Sequence, residues 1–450
     1  MPPDTPHILL VNPWIHDFAA YDFWAKPLGL LTLAGILRKS GCRVSYVDCL
    51  DRFHPRAAPS DPRARAGRGP YLKTAIARPP GLEDVPRVYS RYGIRPEWLH
   101  ADLVAMQRPD LILVTSMMTY WYPGVGETVA ALRSVFYDVP ISLGGIYATL
   151  CHEHAVAHMG VERVLPGPGI GRVCDLVAEQ TGMSLINPAD PHQPDTWPYP
   201  ALDLQGTVGY VPLLTTIGCP FRCSYCAAGF LNPEWMRRSP DAVLEEIQFW
   251  HRDYGVADFV FYDDALLVDA ERHAVPLFEG VIRKGLDIRF HVPNALHIRE
   301  ISARIASLMF AAGVKTVRLG LETAGFDERG ALDAKVTAHQ FTQAVACLRA
   351  AGFDRGQVGA YLLFGLPGQD LSSLAESIQA VHRSGITPIP AYYTPIPHTA
   401  LWPAAVAASR YDLENDPLLS NNAILPCRQE PFTWDTLQQI RDLTVAPKPF

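Results

Sequence analysis

No stretch of this chain stays apolar for the ~18 to 20 residues that a membrane-crossing helix needs, and no segment repeats at a fixed period. A membrane-spanning protein and a repeat solenoid are not expected. Positive charge is also in short supply: 39 Lys and Arg against 46 Asp and Glu leave a net charge of -7. Without an overall positive field to hold a phosphate backbone, nucleic acid is not the expected partner. The opening MPPDTPHILLVNPW has no basic region and no small-residue cleavage site, so neither a secretory signal nor a transit peptide is expected and a cytoplasmic location is. Cysteine is scarce as well. Nine in 450 residues, an odd number thinly spread, make a poor disulfide framework and suit a reducing compartment.

What is present is globular composition, 48% hydrophobic and 19% charged, on a chain long enough for two domains. HILLVN (7–12) reads as a buried strand, PLGLLTLAGILRKSG as a helix closed by Gly41, and VSYVD as a second strand. The alternation resumes with DLILVTS, a helix through ETVAALRSVF, the strand ISLGG, a helix near HEHAVAHM and the short strand VERVLPG. This pattern predicts a doubly wound, Rossmann-like parallel sheet over residues 1–185, whose ligands would bind at the carboxyl ends of the strands. Those ends include Asn12 and Trp14, then Ser116, Met117 and Thr119, then Gly144, Gly145 and Tyr147. A Pro- and Arg-rich insertion near 51–100 reads as a mobile arm or lid, its basic residues either a solvated surface or a contact for a ligand's phosphate or carboxylate.

Residues 186–205 are dense in proline and read as a linker. From 206 to 400 a second series gives six strands, each but the last followed by a helix: VPLLTTIG, FVFYDD, IRFHVPN, TVRLGLET, VGAYLLFGLPG and TPIPAYYTPIP. The predicted fold class is therefore α/β throughout, with a partial (β/α)6 barrel second, active at the carboxyl ends of its strands. Residues 401–450 show no clear alternation, and their structure is left open.

Directly after the first strand of that second series stands Cys219-Pro-Phe-Arg-Cys223-Ser-Tyr-Cys226. Random chains of this composition would show such a C-x3-C-x2-C spacing in roughly 0.004 of cases. Three thiolates cannot complete a four-ligand structural zinc site unless His251 or Cys347 supplies the last. On a cubane cluster, three leave one iron open for a substrate or cofactor. Cys42 and Cys49 read as small buried apolar residues, and Cys427 stands alone.

The spacing, its place after a barrel strand and the aromatic Tyr225 before the last cysteine resemble the radical S-adenosylmethionine superfamily. That resemblance covers residues 210 to about 400 and implies a 4Fe-4S cluster held by Cys219, Cys223 and Cys226. It implies that the open iron binds the amino and carboxylate groups of S-adenosylmethionine, and that one electron cleaves the sulfonium to a 5′-deoxyadenosyl radical. FVFYDDALL resembles the acidic strand end near the cofactor's amino group and nominates Asp263 and Asp264, a carboxylate being able to pair with an ammonium in a dry site. TVRLGLET nominates Glu322, and VGAYLLFGLPGQ nominates Leu363 and Gly365 beside the adenine; Tyr225 joins them. Gln369 stands where relatives often have Glu. Read without the resemblance, Asp263 and Asp264 are helix N-terminal residues, Gly365-Leu-Pro-Gly368 a turn and Glu322 a solvent-facing strand end.

The first 175 residues resemble the cobalamin-binding domain that precedes the barrel in a large class of these enzymes, on KPLGLLTLAGILRKSGCRVSYVD and PISLGGIYATL. The Asp-x-His-x-x-Gly loop that would supply a histidine to cobalt is absent: the first strand ends in NPWIHDFAAYD, and His16, the one nearby imidazole, reads as a surface residue. Met117, Met118, Tyr120, Trp121 and Tyr122 could cap a flat macrocycle or serve interdomain packing. The expected function is thus a radical enzyme, most simply a cobalamin-dependent methyltransferase acting on an unactivated centre of a small molecule, with flavodoxin or ferredoxin as electron donor. The alternatives are a radical enzyme without cobalamin that rearranges or dehydrogenates a small molecule, and an iron-sulfur module without turnover. Tyr392, Tyr393, His398 and Trp402 could line the substrate pocket or belong to the core.

Overall fold

The computed structural model describes residues 5–326, 332–333, 335–430 and 433–445. Part of the N-terminal reading falls on residues 1–4, outside that set. Two compact units emerge: the first holds residues 1–80, 87–209 and 413–420, the second 81–86, 210–412 and 421–450.

The first unit carries strands β1 (His7–Asn12), β2 (Ile15–Asp17), β3 (Arg43–Asp48), β4 (Lys73–Ala75), β5 (Ser90–Tyr92), β6 (Leu111–Val114), β7 (Ile141–Leu143) and β8 (Arg163–Val164). Five of them form an all-parallel sheet in the order β3-β1-β6-β7-β8. All six residues of β1 are buried, as expected of a parallel strand covered on both faces. The two-residue period splits them. Leu9 and Val11 join Ile112, Val114, Ile141 and Leu143 in one core with helices Pro96–Ala105 and Tyr122–Val135. Ile8 and Leu10 join Leu111 and Leu113 in the other, with helices Leu28–Lys39 and Val173–Thr181. Each such fully buried aliphatic side chain contributes roughly 1.5–3 kcal/mol. The strand order reverses direction between β1 and β6, the point of such a sheet at whose carboxyl ends ligands bind.

The Pro- and Arg-rich segment is folded rather than a free arm. It adds the antiparallel sheet β2-β5-β4, and Arg52 ties it down through Asp22 (2.8 Å) and the Gly67 carbonyl (2.8 Å). Residues 186–205 also pack within this unit: Trp197 and Ala201 lie on the second core, and Ala201 N–H donates to Leu31 O at 2.9 Å.

In the second unit, β9 (Val211–Leu213), β12 (Asp258–Phe261), β13 (Arg289–His291), β14 (Val314–Glu322), β15 (Val358–Phe364) and β16 (Thr387–Tyr392) form one parallel sheet in sequence order, and β10 (Thr216–Ile217) pairs antiparallel with β11 (Met236–Arg237). The six main strands are those the alternation predicts, and the single direction of travel follows from a helix returning the chain after each of the first five. Helix Pro240–Tyr254 shows the local reasons: Ser239 caps Ala242 N–H, proline opens the first turn, and Val243, Leu244, Ile247 and Trp250 form the buried stripe. Residues after 401, left open by the sequence, add helices Trp402–Ala408 and Trp434–Thr444. No helix of the described residues is long and apolar enough to cross a membrane.

Candidate active site

The cysteine loop leaves β10 at Gly218, whose φ of +76° and closeness to neighbouring carbonyls exclude a side chain; an added Cβ would meet Glu234 O at 2.5 Å. A turn closes the loop, Cys226 N–H donating to Cys223 O at 3.1 Å. Two other segments grip it between its last two cysteines: Ser224 N–H donates to Leu332 O (2.9 Å), and Leu401 N–H donates to Ser224 O (2.8 Å). All three cysteines are free thiols. Among the described residues no group of three or more His, Cys, Asp or Glu side chains is gathered as a metal-ligand set.

Instead each sulfur faces a potential donor. Cys219 Sγ lies 3.9 Å from His297 Nε2, Cys223 hydrogen-bonds Lys335, and Cys226 Sγ accepts Ala228 N–H at 3.4 Å. Burial pushes the Cys219 thiol up to about 11, with the Asp264 and Cys223 charges adding to it. Three thiols on eight residues, none in a disulfide and each facing at least one donor, Cys219 accepting the Phe221 N–H as well, suit a cluster bound through three sulfurs.

The acidic pair after β12 divides its labour. Asp263 is buried, and its Oδ1 accepts from Thr215 N–H (3.1 Å), Thr215 Oγ1 (2.6 Å), Thr216 N–H and Thr216 Oγ1 (2.8 Å). This carboxyl, raised by burial to about 6, holds the turn between β9 and β10 from which the cysteine loop departs. Asp264 is exposed, and its charge is felt at both Cys219 and Cys226.

Glu322 ends β14, buried at 6% exposure with φ +61°, a left-handed conformation that costs a non-glycine residue ~1–2 kcal/mol. It is not the solvent-facing strand end of the bland reading. It bonds the Tyr225 phenol, whose oxygen also accepts Lys335 Nζ at 3.0 Å. Burial, then the Glu322 charge, keeps Tyr225 protonated. Burial alone would lower Lys335, but Glu322 and Cys223 lift it above the ordinary lysine value, so it is a cation. A chain of polar contacts therefore runs Glu322, Tyr225, Lys335, Cys223.

At the end of β15, Gln369 staples the Leu363–Leu366 turn: its Oε1 accepts Gly365 N–H (2.8 Å) and its Nε2 donates to Leu363 O (2.8 Å). Donor and acceptor are both used, which an ionised Glu could not supply. His398 stacks on Phe230, four residues past Cys226, at 4.2 Å between ring centroids. Tyr393 is buried and Tyr392 exposed. Lys335 and His297 escaped the sequence reading. The lysine is an isolated charge in a loop with no periodic signal; His297, in the loop after β13, was within reach of the rule that strand ends face the site.

In the first unit the nominated residues separate into two groups. Trp14 is 1% exposed within the core, its Nε1 donating to Ile94 O at 2.8 Å, and Tyr147 is wholly buried with its hydroxyl 2.7 Å from His154 Nδ1. Asn12 Nδ2 donates to Asp48 Oδ1 (2.7 Å), Ser116 Oγ to Gly144 O (2.7 Å), and Thr119 Oγ1 lies 3.2 Å from Ser420 Oγ. Tyr120 is buried. These six hold the strand ends in shape. Met117 and Gly144 are half-buried, and Gly145, at φ +98°, lets the turn pass where a Cβ would meet Ser116 O at 2.2 Å. His16, expected at the surface, is 8% exposed because its Nε2 meets Glu127 Oε2 at 2.6 Å, with Arg91 on the same carboxylate. Cys42, Cys49 and Cys427 are all buried.

Comparison with known proteins bears on both units. The family described as the Radical SAM superfamily matches residues 213–381. An uncharacterized methyltransferase of Pyrococcus horikoshii is 24% identical over 68% of this chain and 72% of its own length. The anaerobic magnesium-protoporphyrin IX monomethyl ester cyclase of Rubrivivax gelatinosus is 21% identical over 60% of the chain, which spans about half (53%) of that relative. Among solved structures, the radical S-adenosylmethionine methyltransferase TsrM of Kitasatospora setae, with tryptophan and a SAM analogue bound, superposes with a TM-score of 0.69 over 99% of this chain and 89% of its own, at 17% identity. The cobalamin-dependent radical enzyme OxsB gives 0.60 over 92% and 60%, at 13% identity. Such identities establish likeness of fold. With the cysteine loop at the head of a six-stranded parallel sheet, the family match runs from β9 into the helix after β15, so that residues 213–381 of this chain are similar to the radical SAM superfamily.

Proposed function

We propose that this protein is a cobalamin-dependent radical S-adenosylmethionine enzyme that methylates an unactivated centre of a small molecule. The observation that carries the reading is Cys219, Cys223 and Cys226 on one loop leaving the first strands of the second unit's parallel sheet. The methyl-transfer part draws on the relatives, an uncharacterized methyltransferase of Pyrococcus horikoshii and TsrM with cobalamin and a 4Fe-4S cluster. It also draws on the β3-β1-β6-β7-β8 sheet, whose order reverses between β1 and β6, the position where such sheets bind ligands.

When bound, the cluster supplies one electron to the sulfonium of S-adenosylmethionine, and cobalamin supplies a methyl carrier. The chain's part is to bind, orient and shield. Cys219, Cys223 and Cys226 would hold the cluster as thiolates, their protons given up to solvent. Asp264, exposed beside the cysteine loop, suits the ammonium of the cofactor's methionine, and Lys335 suits its carboxylate. Asp263 positions the loop rather than touching the cofactor. Glu322 and Tyr225 orient Lys335, while the Gln369 staple presents the Leu363–Gly365 backbone to the adenine. In the first unit, Met117, Gly144 and Gly145 offer surface to a macrocycle, and Asn12, Ser116, Thr119 and Tyr120 hold that surface in place. No histidine of the loop after β1 serves as a cobalt ligand, since His16 is taken by Glu127. Flavodoxin or ferredoxin is the expected electron donor.

Anaerobic reconstitution tests the reading. The expected result is about four irons per chain, cobalamin bound stoichiometrically, and 5′-deoxyadenosine or S-adenosylhomocysteine released under reduction. Sulfonium cleavage without cobalamin binding would replace methyl transfer with rearrangement or dehydrogenation. Iron retained after all three cysteines become serine would end the assignment altogether.

A further inference from the structure

We propose that His297 is a positioning residue for the iron-sulfur cluster, donating its Nε2–H to the Cys219 thiolate and thereby raising the cluster's reduction potential. The inference rests on the radical SAM reading and goes beyond it, to an imidazole that touches the cysteine loop.

Three observations converge. His297 is 6% exposed with Nε2 aimed at Cys219 Sγ at 3.9 Å. Its ring is fixed against Phe221, two residues past Cys219, with centroids 4.4 Å apart, and Phe221 in turn carries the Arg299 guanidinium at 4.3 Å. Its Nδ1 is buried without a hydrogen-bond partner. A buried ring nitrogen left unsatisfied costs ~1–3 kcal/mol, so packing alone would favour an apolar side chain here. The backbone supports the same placement: Leu296, the preceding residue, bridges in parallel to Leu319 of β14, and His297 opens the turn Ile298–Glu300.

Once Cys219 ligates iron its sulfur can only accept, so the proton between the two atoms must sit on Nε2. A hydrogen bond to a ligand sulfur stabilises the reduced, more negative cluster over the oxidised one and moves the potential upward. The Phe221 N–H at Cys219, Lys335 at Cys223 and the Ala228 N–H at Cys226 act in the same sense, but His297 is the side-chain donor at Cys219 and is removable without disturbing the Glu322–Tyr225–Lys335 chain.

The test compares the reconstituted full chain with H297L, which keeps volume and loses the donor, and H297Q, which keeps an N–H donor. Iron content and the potential from EPR-monitored dithionite titration, without S-adenosylmethionine, are the readouts. The expected result is full iron in all three, a lower potential in H297L and a value near native in H297Q. Loss of iron in H297L with retention in H297Q also supports the donor role. Equal potentials in all three, or equal iron loss in both variants, overturns it. A native chain that binds no four-iron cluster overturns the radical SAM reading and this inference together, which separates the two failures.

Discussion

Replacing Gln369 with Glu changes one N–H donor into a carboxylate oxygen and leaves shape and volume almost untouched, so its effect can be worked from two contacts. The Oε1 bond to Gly365 N–H survives. The Nε2 bond to Leu363 O at 2.8 Å is lost, worth about 1 kcal/mol net. In its place a negative oxygen faces a carbonyl oxygen, adding roughly another 1 kcal/mol. Q369E should therefore be about 2 kcal/mol less stable at neutral pH, a fall of roughly 4–8 °C in the melting temperature of a unit this size. Protonation restores a donor, so the folded-state pKa of the introduced carboxyl must lie above its unfolded value of ~4.3. For a group raised in this way, the favourable contact is present in full below pH ~4 and lost as pH rises through the folded value. Thermal melts of native and Q369E chains from pH 4 to 8 measure this directly. Curves that coincide at neutral pH, or a gap that stays constant down to pH 4, would refute the staple as described.

Each single change of Cys219, Cys223 or Cys226 to serine should remove most of the iron from reconstituted protein without unfolding it, measured by iron assay and circular dichroism. Glu322→Gly should fold normally, since relief of a left-handed strain of ~1–2 kcal/mol offsets the lost contacts, yet it should bind S-adenosylmethionine at least tenfold more weakly in equilibrium dialysis; unchanged binding would remove Glu322 from the site. Gly145→Ala should destabilise the first unit by more than about 2 kcal/mol in urea melts, because its Cβ would lie 2.2 Å from Ser116 O. Burial favours a protonated Glu127, but His16 and Arg91 outweigh it and hold the carboxyl below its usual value. That stability is present above pH ~4.3 and lost as pH falls through the depressed folded value, so the acid melt of the first unit should flatten in Glu127→Gln.

The parallel strands were legible because each is a short apolar run followed by a helix at regular distance, and the cysteine loop because its spacing is rare. The partition of Asp263 and Asp264 was not. Both stand at one strand end, and only the positions of Thr215 and Thr216, 48 and 47 residues from Asp263 in sequence, decide which is spent on backbone. Trp14 and Tyr147 look like ligand-facing aromatics at strand ends. Their polar tips instead find Ile94 O and His154 inside the domain, a satisfaction that depends on tertiary partners no local pattern announces. Lys335 and Glu322 meet through Tyr225, which lies 110 and 97 residues away from them in sequence, so their alliance belongs to the fold.

Leu413–Ser420 belongs to the first unit, where Asp416 accepts the Tyr122 hydroxyl at 3.1 Å and Ser420 meets Thr119. On the ribosome, the first unit cannot be completed until residues 413–420 have been made, after residues 210–412 of the second. The nascent amino-terminal half must wait with the Thr119–Tyr122 corner unsecured while the second sheet is synthesised, which makes that corner the place where chaperones or proteases would find the unfinished protein.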